Sequence, residues 1–192
     1  MQKHYIDAAT LLKDSVELAL KVIENAYYPD LVVGIWRGGS TVAITMQEVF
    51  DFIGLECQHL PVVTRSYNGM KQQASISIEG LALLDGKVNT NGRILLVDDV
   101  WDTGRTIDSL LEALLPLLAD RSPEIRVAVP YFKPGINQSP LSPDFHLHET
   151  DQWLVFPHEL LGLNEEELVA GKNDLDGTLH NLLELRNRLG DR

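Results

Sequence analysis

Asp98, Asp99 and Asp102, followed by Thr103, Gly104, Arg105 and Thr106, are the residues whose types and spacing point most directly to chemistry. On an extended backbone two adjacent carboxylates point to opposite sides, so one can face sugar hydroxyls and the other a hydrated metal ion. Thr103 and Thr106 carry hydroxyls that can donate to phosphate oxygens, and Gly104 lets the backbone come close. Ahead of them Ile94-Leu95-Leu96-Val97 is uninterruptedly apolar, as in a strand buried on both faces of a parallel sheet. Behind them Ile107, Leu110, Leu111, Leu114 and Leu115 recur at helical spacing. A helix therefore opens at the threonines, and its unsatisfied N–H groups attract an anion. Strand, acidic pair, glycine turn and helix start together describe a phosphate and sugar site. The plainer alternative is a strand–turn–helix unit with an incidental acidic pair.

The same pattern occurs earlier. Leu31-Val32-Val33-Gly34-Ile35 reads as a buried strand running into Trp36-Arg37-Gly38-Gly39-Ser40. A helix follows, with Ala43, Met46, Val49, Phe50 and Ile53 inward and Gly54 as its C′ residue. Gly38 and Gly39 clear the approach path and Arg37 supplies a cation, which makes a second anion cradle. R-G-G alone could simply be a tight turn; its value comes from its place ahead of the acidic motif.

These two units must be held by the rest of the chain. Ala9, Leu12, Val16, Leu20 and Ile23 form an amphipathic first helix that must end before Pro29. Leu60 to Thr64 is a further strand, Arg65 to Gln73 a polar, turn-rich stretch, and Ser75 to Ile78 one arm of a hairpin. Pro116 should kink or end the helix after Thr106 near Leu115. Ile125 to Phe132 is another strand, where Pro130 predicts a bulge or an edge position. Pro140 and Pro143 keep the next connection extended. Phe145 to His148 and Trp153 to Phe156 are short strands; His146 and His148 share a face, but a metal pair there lacks a third ligand. Asn164 starts a short acidic helix ending at Gly171, and Leu179, Leu182, Leu183 and Leu189 mark a last amphipathic one.

A chain of 192 residues makes one domain with room for a subdomain, and 44% apolar residues suffice for a core. The formal net charge of −12 argues against nucleic acid or an anionic membrane as a partner. Cys57 is the lone cysteine, so no intrachain disulfide forms, which fits a reducing cytosol. The start of the chain lacks a signal-peptide core, and no apolar run approaches membrane-spanning length. A cytoplasmic protein is expected.

The apolar strand, two acids, two residues and D-T-G-x-T from Arg93 to Thr106 closely resemble the 5-phosphoribosyl 1-diphosphate (PRPP) motif of type I phosphoribosyltransferases. The resemblance spans about Tyr5 to Glu159 and is greatest to the 6-oxopurine branch, the xanthine-guanine and hypoxanthine enzymes. It implies an α/β fold, a mainly parallel sheet flanked by helices, with a small hood subdomain. Residues 1–159 would be the phosphoribosyltransferase domain with its hood segments, and 160–192 a C-terminal helical extension.

The activity implied is transfer of ribose 5-phosphate from PRPP to a purine nitrogen, with Mg2+ as cofactor. By the same resemblance Arg37, Gly38 and Gly39 bind pyrophosphate, Asp98 and Asp99 bind ribose and metal, and Asp102, Thr103, Gly104, Arg105 and Thr106 hold the 5-phosphate. Asp102 is also the general acid/base candidate, and Ser66-Tyr67 the pair that closes over the reaction centre. Lys133 would donate to the 6-oxygen of the base, Trp153 would stack on it, and Glu159 would help hold metal. The expected partners are PRPP and a purine base, in a homo-oligomer, dimer or tetramer, with no nucleic acid and no membrane. Two alternatives share the fold: a PRPP- or nucleotide-sensing regulator, and an enzyme for a different nucleobase. One departure stands out. Trp101 is bulky where the family usually has a smaller residue.

Overall fold

The computed structural model describes residues 3–66, 76–84, 86–172, 175 and 177–190. Its contacts divide the chain into two compact units, one of residues 12–151 and one of residues 1–11 with 152–192.

The larger unit is built on the two apolar runs. Strands β2 (Leu31–Trp36) and β5 (Arg93–Val97) lie side by side in parallel, with Leu31 opposite Ile94 and Gly34 opposite Val97. Strand β3 (Gln58–Ser66) flanks β2 in parallel, and β4 (Ile76–Glu79) folds back antiparallel on β3. On the other side of β5 comes β7 (Glu124–Phe132), and beyond it β8 (Phe145–Glu149), both parallel. A two-residue strand, β6 (Val100–Trp101), also pairs with β7, in line with β5. The sheet is thus mainly parallel with an antiparallel edge, and the chain has the expected α/β fold.

Both faces of the central strands are covered, which explains why their sequences do not alternate. Leu31, Val33 and Ile35 of β2 and Ile94 and Leu96 of β5 share a core with Ile107, Leu110 and Leu114 of helix α3 (Arg105–Leu117). On the other face of β2, α2 (Gly38–Phe52) lies so close that a Cβ on Gly34 would stand 2.9 Å from that of Ala43. Truncating a buried leucine in such a core typically costs about 2–5 kcal/mol. Pro116 falls in the last turn of α3, which ends at Leu117, two residues beyond the expected Leu115, so that one hydrogen bond of the final turn is lost. Pro130 makes neither a bulge nor an edge. β7 runs straight through it, and the neighbour gives way instead: the register that pairs Val97 with Ala128 and Val100 with Tyr131 sets Asp99 opposite Pro130, where β5 has ended and β6 not yet begun.

The histidines of β8 are separately engaged. His148 Nε2 lies 3.1 Å from a carboxylate oxygen of buried Asp14, which also accepts the Tyr131 hydroxyl at 2.9 Å. His146 contacts Glu149 at 3.2 Å, and among the described residues no group of three acids, histidines or cysteines could hold a metal.

The smaller unit joins the chain ends. Strand β1 (Lys3–Tyr5) pairs in parallel with β9 (Trp153–Val155). Val155, Leu163, Leu168 and Leu179 form its core, with Tyr5 packed against them. Helix α4 (Glu165–Gly171) starts with the expected capping box, Asn164 and Glu167 each bonding the other's backbone N–H, and α5 (Leu179–Gly190) closes the unit. Helix α1 (Ala8–Glu24) has Asp7 as its N-terminal cap, accepting the Thr10 N–H at 2.6 Å. No described helix is long and apolar enough to cross a membrane.

Cys57 lies just before β3, where burial pushes its thiol from an ordinary 9.0 up to about 12. Since only the thiolate reacts, iodoacetamide at pH 8 should modify the folded protein roughly 1000-fold more slowly than the urea-unfolded chain. Equal labelling rates would contradict the burial.

Candidate active site

Many of the expected site residues cluster where β2 and β5 leave the sheet. At the end of β5 the chain steps out of the ladder for two residues, Asp98 and Asp99, because β7 offers Pro130 there and no amide hydrogen to continue the pairing. The Asp98 carboxyl turns inward against Gly39 and accepts the Asp99 N–H at 3.0 Å. Burial above all, and then the neighbouring charge of Asp99, raise its proton affinity well above that of an ordinary carboxylate. Two hard oxygen donors whose mutual repulsion a cation would relieve fit a hydrated divalent metal ion.

The turn after β2 presses on this acidic step. A Cβ on Gly38 would coincide with the Asp99 carboxylate, and one on Gly39 would fall against the Val97 carbonyl. Gly39 is therefore required by close approach of backbone, and a side chain at Gly38 would force the Asp99 carboxylate to move. Arg37 precedes α2, is exposed, and is joined to Trp36 by a cis peptide. Arg37 and the first residues of α2 thus stand beside the acidic pair along the chain's path.

Strand β6 then carries Trp101 into the core, where the indole is 1% exposed and meets Phe132 edge-on at 6.5 Å. The bulk that departs from the family pattern is absorbed inside the protein, with the indole nitrogen against Gly104 of the next turn. Asp102 follows. Its Oδ2 lies 3.4 Å from the ammonium of Lys133, which is buried at the end of β7. Its Oδ1 is buried and has no hydrogen-bond partner among the described residues. Gly104 sits at φ +82°, a conformation glycine adopts without penalty, and caps α3. No side chain caps that helix, and the first-turn N–H groups at Arg105 and Thr106 have no helical acceptor.

The structure therefore brings together Arg37, Gly38 and Gly39 with Asp98 and Asp99, Asp102 with Lys133, and Thr103 to Thr106 at one helix start. The other expected site residues lie on other elements. Ser66 ends β3, and Tyr67 lies outside the described residues. Trp153 opens β9 in the smaller unit with 55% of its surface exposed. In the same unit, Glu159 spends one carboxylate oxygen on its own turn, accepting the Phe156 N–H at 2.9 Å. Sequence reasoning missed residues 137–139, which lie against Gly104. Their polar side chains between prolines were the only signal, and such a signal marks most loops.

An acidic step and two glycine turns, each opening a helix after a strand of one mainly parallel sheet, belong to a phosphoribosyltransferase-like α/β fold. A family model of the phosphoribosyl transferase domain matches residues 1–160, and the chain belongs to that family. It is 30% identical over 189 residues to the Bifunctional protein PyrR of Halalkalibacterium halodurans, a match covering 92% of this chain and 94% of that one. Among solved structures it is similar to a purine phosphoribosyltransferase from Pyrococcus horikoshii, with a TM-score of 0.65 and 28% identity over 86% of this chain and 99% of that one. The Helicobacter pylori xanthine-guanine-hypoxanthine phosphoribosyltransferase shares the fold, with a TM-score of 0.63 and 23% identity over 81% and 92% of the two chains.

Proposed function

We propose that this protein transfers the 5-phosphoribosyl group of PRPP to a 6-oxopurine, forming a purine nucleotide and releasing pyrophosphate. The observation that carries the reading is the Asp102–Lys133 pair. One carboxylate oxygen rests on a buried ammonium and the other is buried and unpartnered, beside an open helix N-terminus. A carboxylate held so is placed to take or hold the proton of a purine ring nitrogen as that base bonds to C1′. The ammonium beside it can only donate hydrogen bonds, so it suits an exocyclic 6-oxygen.

In this reading Thr103 to Thr106 hold the 5-phosphate. Asp98 and Asp99 take the ribose hydroxyls, and Arg37 with the Gly38 and Gly39 amides receives the departing pyrophosphate. Mg2+, keeping most of its waters, would be held by the same two acids and would neutralise the leaving group; Glu159, the third donor the resemblance implies, forms no three-acid metal group with them among the described residues. Trp153 would stack on the base, and Ser66-Tyr67 would close over the reaction centre to exclude water. The setting is cytoplasmic salvage in a homo-oligomer, dimer or tetramer. Exposed Trp36 and Ile44, which line an apolar cleft of about 370 Å³, are compatible with assembly.

A second reading draws on the relative named as a bifunctional protein: a PRPP- or nucleotide-sensing regulator, or an enzyme for a pyrimidine or other base. One panel separates them. Hypoxanthine, guanine, xanthine, adenine and uracil are each incubated with PRPP and Mg2+, and pyrophosphate release is followed. Release with a 6-oxopurine is the expected result. Release with uracil alone would change the acceptor, and PRPP binding with no release on any base would favour the sensor.

A further inference from the structure

We propose that Asn137, Gln138 and Ser139 form a clamp that preshapes the phosphate turn and so sets the affinity for the 5-phosphate of the substrate. The proposal rests on the assignment of Thr103 to Thr106 to that phosphate.

Each residue of the clamp grips a different part of the turn. The Gln138 N–H donates to the Thr103 carbonyl at 3.0 Å. In a trans peptide the carbonyl and the following N–H point in opposite directions. Tying the Thr103 carbonyl to Gln138 therefore turns the Gly104 N–H the other way, away from the clamp, the side this proposal gives to the phosphate. Gln138 also accepts from the Arg105 guanidinium at 2.7 Å. Asn137 Oδ1 accepts the Trp101 indole N–H at 3.0 Å and the Ser139 N–H at 3.1 Å, while its Nδ2 donates to the Leu141 carbonyl at 2.9 Å. The indole that departs from the family pattern is thus the anchor of the clamp.

The Ser139 hydroxyl donates to Asp108 at 2.6 Å. Asp108 is the acid in the first turn of α3, and helical side chains lean towards the N-terminus. Left to itself, its carboxylate would compete for the amides that a phosphate needs; bonded to Ser139 it is drawn to the clamp side. Gly104 completes the fit, since a Cβ there would stand 2.5 Å from that of Ser139 and 3.0 Å from Asn137 Oδ1.

Amides that already converge need no ordering when the ligand arrives, and avoided ordering is gained as affinity. The three residues are positioning residues, since they touch the turn and not the substrate. Their loss should raise the KM for PRPP and leave the turnover of bound substrate alone.

The test compares three ligands by calorimetry: PRPP and ribose 5-phosphate, which carry the 5-phosphate, and magnesium pyrophosphate, which does not. Asn137→Ala should weaken the first two about tenfold each and leave the third unchanged, the loss expected for a few hydrogen bonds. In kinetics, KM for PRPP should rise by the same factor with kcat within about twofold. Asn137→Asp keeps the acceptor for the indole but sets a carboxylate oxygen against the Leu141 carbonyl and a negative charge beside the turn, so it should weaken the same two ligands at least as much as Asn137→Ala. Ser139→Ala, a smaller change, should cost about threefold in the same two ligands, and that loss should vanish in Ser139→Ala with Asp108→Asn. Wild-type protein that binds PRPP and ribose 5-phosphate, with variants that bind them equally well or lose all three ligands in parallel, would overturn the clamp. Wild-type protein that binds pyrophosphate but not ribose 5-phosphate would overturn the phosphate assignment, and the clamp with it.

Discussion

Asp98→Asn combined with Asp99→Asn should lower kcat/KM for PRPP by roughly 1000-fold or more, with no loss of folding stability. The first half follows from what carboxylates alone provide. An amide nitrogen cannot accept from a ribose hydroxyl, and a neutral pair has no charge with which to hold a cation beside the pyrophosphate. Removing a single electrostatic contact from a reaction centre commonly costs about 100- to 1000-fold, and here both are removed. The second half follows from the geometry. The pair sits in the gap between β5 and β6, and the side-chain amide introduced by Asp98→Asn would keep the oxygen that accepts the N–H of the next residue. Burial and the charge of Asp99 make ionised Asp98 unfavourable in the folded state, so its proton affinity is raised. An acid whose folded pKa exceeds its unfolded one destabilises the protein above the unfolded value, and that cost fades as pH falls towards it. The double variant, unfolded thermally without magnesium, should therefore match or exceed wild type in Tm at pH 7, and its advantage should shrink in acid. Full activity in the double variant would sink the assignment; a lower Tm at neutral pH would sink the account of the pair.

The features that can be read in the sequence are those compressed into short stretches. Ile94 to Thr106 contains its own strand, acidic step, glycine and helix start, so local pattern suffices. The same holds for Leu31 to Ser40, and for Asn164 and Glu167, whose capping box is a spacing rule. The features that cannot be read depend on partners far away in the chain. Nothing near Pro130 says that β7 will run straight and that the opposite strand will break at Asp99; that follows from register between residues some 30 apart. Gly38 and Gly39 advertise room for an anion, but not that the Asp99 carboxylate would occupy the space where the first would carry a Cβ. The apolar run at Trp153 marks β9, but three-residue β1 has no periodicity to detect, and nothing local says that these two distant strands will pair. Trp101 is legible only as a misfit. Its use appears once Asn137 stands 3.0 Å from the indole nitrogen.

Lys133→Ala and Trp153→Ala should fail in different ways, and the difference reports on the base. The Lys133 ammonium is buried beside Asp102 and has no acceptor lone pair, so it can reward a 6-oxo group and cannot reward a 6-amino group. Sites built to hydrogen-bond one group discriminate strongly against analogues that cannot reply. Lys133→Ala should therefore lower kcat/KM for hypoxanthine by about 100-fold or more, and for adenine far less. Part of the loss common to both bases will come from Asp102, whose Oδ2 would be left without its cation at 3.4 Å. The oxo-over-amino ratio cancels that common part, which is why the ratio is the quantity to read. Trp153 presents an exposed indole with no means of telling the exocyclic groups apart. Stacking on it should be worth about 1–3 kcal/mol for any purine, so Trp153→Ala should weaken hypoxanthine and adenine alike and leave their ratio unchanged. Measuring kcat/KM for both bases in both variants decides the matter. A ratio that survives Lys133→Ala would reduce Lys133 to a structural partner of Asp102, and the 6-oxopurine reading would lose the contact on which it chiefly rests.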